Sequence, residues 1–117
     1  MDFSLERIAT QDALATPDRF RAWLDSKPEG ACVGYGGQAD NCPLAKFLSD
    51  TRLARFQVGH YVVVALAPAP ERVLFTVDLP RWAVSFASGV DVERPSTISK
   101  ATALAILDRA IAWAGRS

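Results

Sequence analysis

Two side chains suited to nucleophilic chemistry stand near a glycine-rich loop in this chain. Cys42 lies within "GACVGYGGQADNCPLAKFL" (residues 30–48), directly before Pro43 and a run that reads as a helix. With Pro43 at the first helical position, Cys42 falls at the N-cap, where the positive end of the helix favours a thiolate. Asp40, close by, would oppose ionisation if it points the same way. His60, the only histidine, opens the strongest apolar run and is the one imidazole able to act as base in a Cys–His pair. Gly34, Gly36 and Gly37 lie between a candidate strand and the helix, where phosphate-binding loops sit.

Each feature also has a plainer reading, and the plainer readings carry more weight. The G-x-G-G spacing matches neither the dinucleotide fingerprint nor the P-loop, and no Lys-Ser/Thr pair follows. The glycines then supply positive φ, or let the backbone pass close to Trp23 or Trp82. Cysteine often packs as a small buried hydrophobe, and a histidine at a strand start is commonly a hydrogen-bonded structural residue. A metal site would need Cys32, Cys42, His60 and a carboxylate such as Asp40, but the cysteine spacing fits no zinc ribbon or finger. No metal and no cofactor is expected.

The elements that must position these residues follow from periodicity. At 117 residues the chain is the size of one ordinary domain, and we expect residues 1–117 to form one. Half of it is hydrophobic and 22% charged, a globular rather than a disordered composition. Residues 1–15 are weakly helical, with Leu5, Ile8 and Ala9 on one side. A clearer helix lies in "TPDRFRAWLDS", with Thr16 as cap, Pro17 in first position and Phe20, Trp23 and Leu24 on one face. Lys27 and Pro28 end it.

"ACVGY" reads as a short strand, and "PLAKFLSD" as a short helix with Leu44, Phe47 and Leu48 inward. "QVGHYVVVALA" reads as one central strand covered on both faces, because both faces are apolar. Pro68 and Pro70 close it, and "RVLFTVD" follows at hairpin distance as an outer strand. Pro80, Trp82 and Phe86 mark a helix with Gly89 as its stop. Thr97 or Ser99 caps the last helix, which ends at Gly115. The expected fold class is α+β: a small sheet of about three strands, at least partly antiparallel, packed by four to five helices.

Thirteen basic residues balance thirteen acidic ones, so nucleic acid is not an expected partner. No apolar run approaches the roughly 20 residues of a membrane span, and "MDFSLERIAT" resembles no export signal. We therefore expect a cytoplasmic protein with Cys32 and Cys42 unbridged. The last helix adds a positive signal. Leu104, Leu107 and Ile111 form one apolar stripe, and Ile106, Ala110 and Trp113 form a second, displaced around the axis. Asp108 and Arg109 are its only charges between Ala101 and Ala114. An ordinary surface helix has a broader polar face. The first expectation is thus a non-enzymatic protein-binding or self-associating module, a homodimer through this helix. Ile106, Arg109 and Trp113, together with Gly36 and Gly37, are its candidate binding residues. The alternative is a small enzyme or ligand-binding protein that uses Cys42 and His60.

Overall fold

The computed structural model describes residues 3–51, 55–67 and 72–115. In chain order the elements are α1 (Ser4–Ala15), α2 (Asp18–Asp25), β1 (Cys32–Tyr35), α3 (Pro43–Thr51), β2 (Arg55–Val58), β3 (Val62–Leu66), β4 (Val73–Asp78), α4 (Arg81–Asp91), β5 (Thr97–Ser99) and α5 (Lys100–Ala114). The strands form two antiparallel sheets, one ordered β2-β3-β4 and one pairing β1 with β5. The fold is α+β, with small antiparallel sheets packed by five helices.

The core is built on the aromatic periodicity of α2 and α4. Phe20 is fully buried, with Phe86 edge-on at 4.9 Å, Phe47 at 5.4 Å and Trp82 at 5.9 Å between ring centroids. Edge contacts of this kind add about 0.5–1.5 kcal/mol beyond the burial of the rings themselves. Trp82 donates its indole N–H to the Leu14 carbonyl at 2.8 Å, which pins α4 to the end of α1 and gives this buried donor a partner. Every helix and strand contributes to this one apolar cluster.

Several local expectations are corrected. Leu5 and Ile8 face solvent (80% and 52% exposed), and Thr10, Ala13 and Leu14 face inward instead. The two sets lie on opposite sides of a helix of 3.6 residues per turn, and α1 is anchored by its inner side along the edge strand β4. There Arg7 Nε donates to the Thr76 carbonyl at 3.2 Å, giving an otherwise unpaired edge group a partner. The run 57–67 is two strands, because the chain reverses through Gly59–Tyr61, with Gly59 N–H donating to the Val62 carbonyl at 2.8 Å. On one face of β3 Val63 and Ala65 are buried; on the other Val62 and Val64 are half-buried, and Leu66 at the end of the strand is buried. Pro68 and Pro70 lie outside the described residues.

At α2 no side chain caps the helix start, and Pro17 rather than Thr16 holds the N-cap position. Gly89 does not stop α4, which runs on to Asp91. Its function is contact: a Cβ there would come within 2.8 Å of Ile106 Cγ2, so the missing side chain lets α5 approach. Thr97–Ser99 is a strand as well as a cap. It pairs with β1 and leads straight into α5, where Ser99 Oγ accepts the Thr102 N–H at 3.2 Å. No helix among the described residues is long and apolar enough to cross a membrane.

Candidate functional site

The glycine loop is held in place by the chain's own groups. Gly36 N–H donates to the Ser96 carbonyl at 2.7 Å, and Gly37 N–H donates to Asp91 Oδ1 at 3.2 Å. The negative group that the Gly37 amide meets is therefore an internal carboxylate. The close approaches the glycines permit are also local. A Cβ on Gly36 would sit 2.3 Å from the Val90 carbonyl oxygen, and one on Gly34 would strike the backbone of Asn41–Pro43. Neither Trp23 nor Trp82 is the neighbour that the glycines make room for.

Cys42 does stand at the start of α3. Its carbonyl accepts the Lys46 N–H at 3.0 Å, as an N-cap carbonyl should. Cys42 is nevertheless buried, at 7% exposure, and its thiol donates to the Ala39 carbonyl at 3.9 Å. Its pKa is raised, first by burial and also by the negative charge of Asp91. The backbone N–H groups of Ala45 and Leu44 at the helix start pull it down, but by less. The helix end acts on the thiol as the sequence implied, and desolvation wins. Asp40 is turned toward Arg55, with 4.0 Å between them. Cys32 and Cys42 are both free thiols, Cys32 exposed and Cys42 buried.

His60 is exposed in the β2–β3 turn. It and Cys42 line the same cleft of about 260 Å³. Among the described residues no hydrogen bond joins the imidazole to the thiol, and no group of three or more His, Cys, Asp or Glu side chains could hold a metal ion. Three separated segments form the cleft walls: the loop Gly37–Ala39, the turn Val58–His60, and the end of α4 with Phe86, Ala87, Val90 and Asp91. Leu44, Val58, Phe86, Val90 and the Cys42 thiol give it a buried, apolar floor, while Gln38, His60 and Asp91 are exposed at its rim.

The residues expected on the last helix separate. Ile106 is 2% exposed and belongs to the chain's own core, filling the notch over Gly89, so it offers no surface to a partner. Arg109 is exposed and lies 3.8 Å from Glu93. Trp113 is 48% exposed, with the Arg81 guanidinium 5.0 Å above its ring. Asp91 was missed from the sequence because a helix ending at Gly89 leaves it in a loop. Extending α4 by its last half-turn is what brings its carboxylate to Gly37. No protein-family model, curated protein or solved structure matches the chain.

Proposed function

We propose that the protein binds a small molecule in the cleft between Gly37, His60 and Asp91, without covalent catalysis. The observation that carries this reading is the convergence of three segments on one cavity with an apolar floor and a polar rim, the usual composition of a ligand site. The raised thiol pKa of Cys42 argues against a nucleophile, since the thiolate is the reactive form. Titration of the isotope-labelled full chain with 2-phenylethanol tests it. Saturable amide shifts at Gly37, Gly59 and His60 are expected, and Ala87→Leu, which adds bulk to the cleft wall, should abolish them. Shifts absent at every cleft residue would sink the reading.

A second reading, self-association through α5, keeps one specific support. Trp113 is half exposed, and Ala101, Ala105 and Ala112 present a low, exposed face beside it. Light scattering after gel filtration should then give a dimer mass at micromolar concentration, shifted toward monomer by Trp113→Glu. A monomer at high micromolar concentration would remove it. Both readings include a cytoplasmic location, supported by the two unbridged thiols.

A further inference from the structure

The electrostatics of the cleft narrow the chemical class of its ligand; the argument rests on the reading of the cleft as a binding site. Among the described residues that line it, one carries a fixed charge, Asp91, and that charge is negative; no Lys or Arg is among them. The loop amide that would attract an anion is already engaged, because Gly37 N–H is spent on Asp91 itself. The wall that bears Asp91 is the C-terminal end of α4, the partially negative end of the helix dipole, and the last turn of α4 holds no basic residue. Arg94, the nearest cation in sequence, donates to the main-chain carbonyls of Asp91 and Glu93 and is not part of the lining. The field of Asp91 reaches inside the cavity, where it helps to push the Cys42 thiol pKa up.

Size sets a further limit. A volume of about 260 Å³ corresponds to roughly nine waters at their share of the liquid. The occupant is then a molecule of about that many heavy atoms. Its apolar body would meet Leu44, Val58, Phe86 and Val90, and its polar end would lie at the rim.

We infer that the cleft is a site for a small organic cation, a monoamine with a short apolar or aromatic body whose ammonium group pairs with Asp91. An exposed carboxylate attracts an ammonium only modestly in water, and the partial enclosure here raises that attraction. Asp91 also acts through position, since its bond to Gly37 N–H holds the carboxylate at the mouth of the cleft.

Three probes of one shape test the charge requirement: phenethylammonium, 2-phenylethanol and 3-phenylpropionate, each titrated into the labelled full chain. Phenethylammonium should bind at least fivefold more tightly than the alcohol, and the propionate more weakly than either. Asp91→Asn keeps an oxygen that can accept the Gly37 N–H while removing the charge. It should cost phenethylammonium at least fivefold more than it costs the alcohol. If the alcohol binds in the cleft but the ammonium gains nothing, or the propionate binds best, the cation class falls and the cleft stands as a site for another ligand. If no probe shifts any cleft resonance, the site itself falls, and this inference with it.

Discussion

Asp91 Oδ1 accepts the backbone N–H of Gly37 across 3.2 Å, joining the end of α4 to the loop before α3. The contact spans 54 residues of sequence and makes an internal carboxylate the partner of the glycine loop. Asp91→Ala should therefore loosen the loop. A charged acceptor at a surface position contributes about 1 kcal/mol, so amide exchange at Gly37 should quicken several-fold while global stability falls by no more than that. Inorganic phosphate at millimolar concentration should leave the Gly36 and Gly37 resonances of the unaltered protein in place. Specific phosphate shifts there would overturn the assignment of the loop amides.

The two thiols should differ sharply in reactivity. Cys32 is exposed and Cys42 buried with a raised pKa, so iodoacetamide near neutral pH should label Cys32 first and reach Cys42 only when the protein opens. The raised pKa has a consequence for stability. The folded state resists ionising Cys42, so its stability contribution is complete below the unfolded thiol's ordinary pKa of about 8.5 and is lost as pH rises above it. The slope from one such group is at most about 1.4 kcal/mol per pH unit. Urea midpoints measured up to pH 10 should fall less steeply in Cys42→Ala than in the unaltered chain. Equal slopes would show that burial does not govern this thiol.

Local periodicity made much of the core legible. Phe20 and Leu24, Leu44, Phe47 and Leu48, and Trp82 and Phe86 are all inside, because three- and four-residue spacing reports a helix face directly. On α1 the same rule misled, since Leu5 and Ile8 share a face that points to solvent, while Leu14 packs inward from the opposite face beside the smaller Thr10 and Ala13. Strand β5 was invisible, being three residues long and paired with a partner more than sixty residues earlier. The cleft was invisible for a related reason. Cys42 and His60 could be named from type, but their meeting depends on how α4 lies against the 37–42 loop. No spacing along the chain encodes that.

Lys100 fixes the other end of the molecule. It is 9% exposed, and its Nζ donates to the carbonyls of Lys27 at 2.9 Å and Asp25 at 3.2 Å, with Glu29 3.5 Å away. The ammonium thus satisfies carbonyls at the end of α2, where positive charge is favoured. Lys100→Met keeps the stem and removes the donors. Stability in urea should drop by about 1–3 kcal/mol, the cost of stranding partly buried acceptors. Arg109→Met, at an exposed ion pair, should stay within about 0.5 kcal/mol. Similar costs for the two would refute the buried role of Lys100.

The paired glycines at 36 and 37 are needed for different reasons, and alanine separates them. Gly37 has φ +77°, with nothing within 4 Å of an added Cβ. Alanine there has room and suffers only the left-handed backbone, about 1–2 kcal/mol. At Gly36 an added Cβ would lie 2.3 Å from the Val90 carbonyl oxygen, a main-chain atom that cannot swing aside. Relief requires the loop to move away from α4, which stretches the Gly36–Ser96 hydrogen bond and widens the cleft between Gly37 and Asp91. Gly36→Ala should therefore cost clearly more than Gly37→Ala in urea denaturation. It should also displace the amide resonances of Val90, Asp91 and Ser96, which Gly37→Ala leaves near their original positions. Gly37→Asn should recover part of the loss at that site, since asparagine tolerates the left-handed region better than alanine. If Gly36→Ala proved the milder change, the close approach of the loop to the end of α4 would be wrong, and with it the wall that closes the cleft.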